Sequence, residues 1–331
     1  MKVLVTGSAG FIGYHVAKRL LEAKHDVIGV DNFNNYYDVN LKEDRSRNLS
    51  SYKNFKQLRG SIETSNFLDG VFEKFSPDIV VHLAAQAGVR FSLEQPETYI
   101  QSNIVGTFQL LEAVRNYHPK HVLLASTSSA YGANTLMPYA ERHQTDHQIS
   151  IYAATKKSME ALSHTYSHLY NIPITAFRFF TVYGPYGRPD MAPHKFAHRI
   201  LERKPIDVYN FGDMERDFTY IDDLVTAVLK LSEQVPKVGE KSVSPVAPWR
   251  VVNIGNSRPV KLLDFIGTLE NALGLESQRN YLPIQPGDVV STWADVSLLR
   301  ELTGFVPNTD LSVGLRKFAD WFRVYYGNDY R

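Results

Sequence analysis

Short apolar runs recur along the first 180 residues, each followed by apolar positions at helical spacing. Val3-Leu4-Val5, Val27-Ile28-Gly29-Val30, Ile79-Val80-Val81-His82-Leu83, His121-Val122-Leu123-Leu124-Ala125 and Ile174–Phe179 read as strands. They are almost wholly apolar rather than alternating, as expected of parallel strands covered on both faces. Between them, Val16, Leu20 and Leu21 form one helical stripe, and Ile104, Phe108, Leu111 and Val114 another, on a helix over 99–116. Met159, Leu162, Tyr166 and Leu169 mark a third helix over 151–170. Residues 32–54 are polar and rich in Asn and Tyr, and predict a long loop with a short helix near 40–48. Strand–helix alternation of this kind predicts a doubly wound α/β sheet.

The alternation stops after Phe179, at the turn-rich Tyr183-Gly184-Pro185-Tyr186-Gly187-Arg188-Pro189. Short elements follow, as a smaller α/β lobe would give. The helix near Ile221 and the strand Val251–Ile254 are expected to return to the sheet. The division is therefore 1–180 with 217–254 for the sheet domain, and 181–216 with 255–331 for the smaller domain. Residues 235–248 hold three Pro with Lys, Ser and Gly, and predict an exposed loop.

Composition narrows the chemistry. A net charge of +1 without basic blocks points away from nucleic acid. The chain has no Cys, which removes thiolate catalysis and Cys-ligated metal. No apolar run reaches the roughly 20 residues of a membrane span, and the first strand begins at Lys2. The expectation is a cytoplasmic protein, with no membrane partner and no metal.

Two motifs sit where such a sheet puts its ligands. The first is Gly7-Ser8-Ala9-Gly10-Phe11-Ile12-Gly13, between the first strand and its helix, with Asp31 ending the second strand. The glycines allow a tight turn, close backbone approach to a pyrophosphate and helix–strand packing. Asp31 is placed to accept from a ribose diol and to repel a 2′-phosphate, which favours NAD over NADP. The second is Tyr152-Ala153-Ala154-Thr155-Lys156, preceded by Ser126-Thr127-Ser128-Ser129 at a strand's carboxyl end. Four residues apart, Tyr152 and Lys156 share a helix face. A cation there lowers the phenol pKa toward working pH. Alone, the spacing describes an ordinary half-buried Tyr and an exposed Lys; the glycine motif and the hydroxyl cluster tip the balance toward chemistry. His82 reads as a core residue.

These motifs, with Leu83-Ala84-Ala85, Asn103-xx-Gly106-Thr107, Tyr131-Gly132 and Arg216-Asp217-Phe218-Thr219-Tyr220-Ile221-Asp222-Asp223, resemble the extended short-chain dehydrogenase/reductase family, in its nucleotide-sugar epimerase branch. The segments 83–90, 178–185, 187–192 and Gln285-Pro286-Gly287-Asp288-Val289 are similar to the UDP-glucuronate 4-epimerase group within it. The resemblance implies a Rossmann domain with a smaller C-terminal domain, bound NAD, a UDP-sugar substrate and a homodimer built from the helices near 99–116 and 151–170. It implies Tyr152 as base, Lys156 as its cation and ribose contact, and Thr127 as the hydroxyl at the sugar 4-oxygen. Gly7, Gly10, Phe11, Ile12, Gly13, Asp31, Asn32, Leu83, Ala84, Ala85 and Lys156 would hold NAD. Arg90, Ser128, Ser129, Thr181, Arg188, Arg216 and Asp288 would hold the UDP-sugar, with Arg188 supplying charge to a C6 carboxylate. The family's acidic adenine contact is replaced by Ser61. Related dehydratases and decarboxylases place carboxylates after the Thr, whereas Ser128 and Ser129 stand here. An epimerase acting on UDP-glucose or UDP-N-acetylglucosamine, and a non-catalytic NAD-sensing protein on the same fold, are the alternatives.

Overall fold

The computed structural model describes residues 1–285 and 287–327. Pro286, inside the motif at 285–289, and 328–331, assigned above to the second domain, lie outside the described residues.

Strands β1 (Lys2–Thr6), β2 (Asp26–Asp31), β3 (Phe55–Arg59), β4 (Ile79–His82), β5 (His121–Thr127) and β6 (Ile174–Phe179) form an all-parallel sheet with the later strand Trp249–Ile254. The order is Trp249–Ile254, β6, β5, β4, β1, β2, β3. This is the doubly wound, Rossmann-type arrangement, whose strand order reverses beside β1 and opens a crevice at the carboxyl ends. Successive residues serve opposite faces, as the period of a strand requires. Val3 and Val5 join one buried cluster, while Leu4, between them, joins the other. Both faces are thus covered, which explains the unbroken apolar runs.

Several elements are longer or different from their sequence expectation. The short helix of the polar stretch runs Val39–Ser50, started by Asp38, whose carboxylate accepts from Asn40 N at 2.9 Å. The expected helix over 99–116 consists of Pro96–Tyr99, a π-helical Ile100–Val105 and Gly106–Tyr117. The π-helical turn aims Asn103 inward. Its side chain accepts from Gln86 N at 2.8 Å and donates to Gln86 O and Thr155 Oγ1, each at 3.0 Å. It therefore ties the loop after β4 to the helix Ile151–Tyr170.

Beyond Phe179 a small sheet centres on Glu215–Tyr220. Thr181–Tyr183 and Ser291–Thr292 pair with it in parallel, Pro259–Lys261 antiparallel. Ile206–Tyr209 pairs with Arg279–Leu282. The helix Leu311–Tyr326 buries Leu315, Phe318, Ala319 and Phe322, a helix-period stripe. Its Trp321 and Tyr325 rings lie against Tyr186, closing the turn-rich segment onto the C-terminal helix. Helix Ile221–Ser232 packs against Phe11–Glu22 on the large sheet's side. Among the described residues no helix is long and apolar enough to cross a membrane.

Candidate active site

One cleft of about 820 Å³ runs along the carboxyl ends of the large sheet and under the smaller lobe. Every site residue expected from the sequence lines it, from Gly7 to Asp288.

At the nucleotide end, the turn after β1 leads into the helix Phe11–Glu22. Gly7 has φ +72°, and a Cβ there would lie 2.7 Å from Ala84 N. A Cβ at Gly13 would lie 2.0 Å from Gly7 O. Neither position admits a side chain, so backbone alone lines this part of the cleft. No side chain caps the helix, which leaves its first N–H groups for an anion. Asp31 accepts from Ala9 N at 3.0 Å and Phe33 N at 2.8 Å, which fixes its carboxylate at the cleft wall. Asn32 Nδ2 donates to Ser61 Oγ at 3.2 Å, while Ile62 and Glu63 line the cleft next to it. Glycine cradle, uncapped helix start and terminal Asp together fit a dinucleotide.

Midway, the fully buried β5 delivers Thr127, whose Oγ1 accepts from Ser129 N at 3.1 Å and so starts a tight turn through Ser128–Tyr131. Ser150 caps the facing helix, accepting from Ala153 N at 3.1 Å. That cap sets Tyr152 in the first turn and Lys156 in the second. Lys156 is buried and donates to Ala125 O at 2.7 Å. Burial pulls its pKa down to about 8. Burial raises the pKa of Tyr152, while the Thr127 hydroxyl and the charge of Arg188 pull it back. Arg188 is thus a cation that the sequence reading did not place at the phenol. Lys156 spends one donor on the strand that carries Thr127. His82, fully buried between Thr6 and Thr107, is driven to about 3 by burial and Lys156, and sits in the core as expected.

At the far end, Arg90 pairs with Asp288 at 2.8 Å and lies 4.3 Å from the Tyr209 ring centre. Arg216 donates to Glu215 O at 2.8 Å and Val290 O at 2.9 Å. Burial lowers its pKa and the charge of Asp288 opposes this. Thr181 opens the strand beside Glu215–Tyr220. Arg188 donates Nε to Asp190 Oδ1 at 3.0 Å and Nη2 to Asp190 Oδ2, and Tyr36 OH reaches the same carboxylate at 3.1 Å. Burial works against the charge of Arg188, and Asp190 more than restores it.

Four contributors escaped sequence reasoning. Asp190 and Tyr36 hold Arg188. Glu160, one turn beyond Lys156, accepts from Arg178 at 2.9 and 2.8 Å and from Ser126 Oγ at 2.6 Å, fixing the helix against β5 and β6. Arg45 is fully buried and joins Ala9 O (2.9 Å), Tyr37 OH (2.8 Å) and Tyr186 O (2.6 Å), so it links the glycine turn to the segment bearing Arg188. A Lys and an Arg three residues apart on the helix of the polar stretch, Lys42 and Arg45, was the available signal.

Fold and cleft define a dinucleotide-dependent enzyme class. The chain belongs to the NAD dependent epimerase/dehydratase family, whose model matches residues 3–255. It is 49% identical over 335 residues to a probable UDP-glucuronate 4-epimerase of Rhizobium meliloti, covering 98% of each chain. It is 44% identical to UDP-glucuronate 4-epimerase 1 of Arabidopsis thaliana, covering 99% of this chain and 78% of that one. The crystal structure of UDP-glucuronic acid 4-epimerase from Bacillus cereus, in complex with UDP-glucuronic acid and NAD, superposes with a TM-score of 0.89 at 36% identity. That match covers 98% of this chain and 100% of the other.

Proposed function

We propose that the protein interconverts UDP-glucuronate and UDP-galacturonate by epimerisation at C4, through a transient 4-keto sugar and with bound NAD. The observation that carries the reading is the single cleft joining the glycine cradle, Tyr152 with Thr127, and the Arg188–Asp190 pair.

Tyr152 Oη takes the proton of the 4-OH and returns one to the epimerised oxygen. Thr127 donates to the same sugar oxygen, and Arg188 favours the phenolate. NAD, when bound, accepts hydride from C4 and gives it back. Lys156 holds β5 through Ala125 O and keeps other N–H donors for the cofactor's ribose. Arg216 and Arg90 hold the nucleotide's diphosphate end and Asp288 its uridine ribose, so that the sugar ring alone turns between the two transfers. Gly7, Gly10, Phe11, Ile12, Gly13, Asp31, Asn32, Leu83, Ala84 and Ala85 serve the cofactor. Ser128, Ser129, Thr181 and the free N–H groups of Arg188 serve the C6 carboxylate, which a desolvated site must pair. The same grip keeps the β-keto acid from aligning its C5–C6 bond with the new carbonyl, and so resists loss of CO₂. Ser128 and Ser129 offer no carboxylate for elimination.

One observation favours a second reading. Asp190 takes two hydrogen bonds from Arg188, which reduces the positive charge left for a uronate and suits the neutral C6 of UDP-glucose. Incubation with UDP-glucuronate, UDP-glucose and UDP-N-acetylglucosamine, with products identified by NMR, separates the two. UDP-galacturonate as the main product supports the proposal, and conversion of the neutral sugars alone contradicts it. We place the enzyme in the cytoplasm as a homodimer. Ile100, Phe108 and Leu169, on the helices expected at the interface, are 41, 41 and 62% exposed and support that assembly.

A further inference from the structure

The turn that carries Arg188 is built under strain. Tyr186, two residues before it, has φ +57°, in the left-handed region that bulky side chains rarely adopt. Gly184 has φ +146°, and a Cβ there would lie 2.5 Å from Ile221 Cγ2. Gly187 N returns to Gly184 O at 3.1 Å and closes the turn. A non-glycine residue in such a conformation persists only where its surroundings hold it. The C-terminal helix holds the Tyr186 ring, as described above. The helix Phe11–Glu22 holds the backbone. Its Tyr14 ring centre lies 4.9 Å from that of Tyr186, and its His15 Nε2 lies 2.9 Å from Pro185 O. A carbonyl oxygen only accepts, so Nε2 carries the proton and donates. The imidazole is neutral, because burial outweighs that bond and pushes its pKa down to about 3. An edge-on contact with Phe11, 5.6 Å between ring centres, sets the plane of the ring.

His15 does not line the cleft and takes no part in the chemistry above. It stands one turn beyond Phe11, which does line the cleft, and it reaches a carbonyl three residues before Arg188. We propose that His15 is a positioning residue for Arg188: from the helix that starts at the glycine cradle, it pins the strained turn so that the guanidinium faces the sugar C6 and the Tyr152 phenol. The inference rests on the uronate reading above. Asp190 cannot do this work alone. It lies two residues further along the same segment, so it orients the guanidinium within that segment. His15 orients the segment against the large sheet domain. One helix thus serves two ends of the cleft: its start faces the cofactor, and its second turn fixes the grip on the carboxylate.

The test compares wild type with three variants of the full chain. His15→Phe keeps a ring and loses the donor. His15→Asn carries an amide too short to reach Pro185 O, and His15→Gln carries one that reaches about as far as Nε2. The readouts are initial rates of UDP-galacturonate formation by NMR across pH, and calorimetric affinities for UDP and for NAD. Loss of this one hydrogen bond should raise KM for UDP-glucuronate about fivefold to tenfold in His15→Phe and His15→Asn. The acid limb of the rate profile should move to higher pH in both, because the charge of Arg188 no longer sits at the phenol. UDP and NAD should bind as they do to wild type, since neither is held by the turn. His15→Gln should recover most of the loss. Wild-type KM and acid limb in both donor-less variants overturn the proposal, and so does a His15→Gln protein no better than His15→Asn. Equal weakening of UDP, NAD and UDP-glucuronate, or failure of both donor-less variants to fold, also overturns it, because the side chain then supports the fold at large. A wild type that converts only neutral sugars would instead fell the uronate reading itself.

Discussion

Replacing Arg188 by Ala should affect three things at once, and the geometry separates them. Nε and Nη2 of Arg188 donate to Asp190, and Tyr36 OH also interacts with the guanidinium, so the remaining N–H groups are left for substrate. Their loss removes a charge-assisted contact to the C6 carboxylate, worth roughly 1.5–3 kcal/mol, or about 10- to 150-fold in affinity. Tyr152 also loses the positive charge that favours its phenolate. A base with a higher pKa is protonated over a wider acid range, so the acid limb of the rate profile must move to higher pH. Finally, Asp190 keeps its burial and, among the described residues, retains Tyr36 OH as its one side-chain donor, which makes the variant less stable. Asp190→Asn in the same protein should restore stability but not activity. The assay is the initial rate of UDP-galacturonate formation by NMR across pH, with UDP-glucose as the neutral comparator. We expect kcat/KM on UDP-glucuronate to fall roughly 100-fold or more at neutral pH, with a UDP-pentose appearing through loss of CO₂. Any activity on UDP-glucose should fall less. An unmoved acid limb together with equal losses on both substrates would refute the reasoning.

Tyr152→Phe should bind NAD and UDP-glucuronate by calorimetry as wild type does, yet turn over roughly 10²–10⁴-fold more slowly; near-normal turnover would place the base elsewhere. Glu160→Gln should destabilise the fold by about 3–5 kcal/mol in urea melts, because it leaves Arg178 buried without its carboxylate, and a loss under about 1 kcal/mol would contradict that ledger. Burial would push the Glu160 carboxyl up, but Arg178, Lys157 and Ser126 hold it below its ordinary 4.5. Its stabilisation is therefore present above that value and lost as pH falls through the lower folded pKa. The acid destabilisation of wild type should exceed that of Glu160→Gln, and identical pH profiles would show that the pair does not titrate with folding. Light scattering of the pure protein should give twice the chain mass, and Phe108→Glu with Leu169→Glu should halve it; a wild-type monomer would contradict the assembly.

The large sheet was legible because its strands are buried on both faces, so apolar runs such as Ile79–His82 and His121–Ala125 announce themselves without periodicity. The glycine turn was legible for a related reason: positions where a Cβ would strike backbone can hold little else. The electrostatics were not. Spacing places Lys156 beside Tyr152 on the helix, but it does not report that Ala125 O takes one of the ammonium's donors, nor that the charge of Arg188, 36 positions further along the chain than Tyr152, also reaches the phenol. Asp190 escaped for the same reason, since a carboxylate two residues from an Arg in a Pro- and Gly-rich turn is usually solvated. The C-terminal helix Leu311–Tyr326 does carry a readable stripe, at 315, 318, 319 and 322. The polar stretch 32–54 hid Lys42 and Arg45 because its helix buries them between Leu41 and Leu49, too few apolar positions to mark an inward face.

The central claim is that hydride leaves C4 and returns to C4 of the same sugar, with Tyr152 handling only the hydroxyl proton. UDP-glucuronate carrying deuterium at C4, converted in ordinary water and followed by NMR, tests it directly. The account predicts UDP-galacturonate with the deuterium still at C4, and no solvent hydrogen at C4 or C5. Loss of the label to solvent, or exchange at C5, would mean that a carbon–hydrogen bond is broken by a base, and would contradict the account.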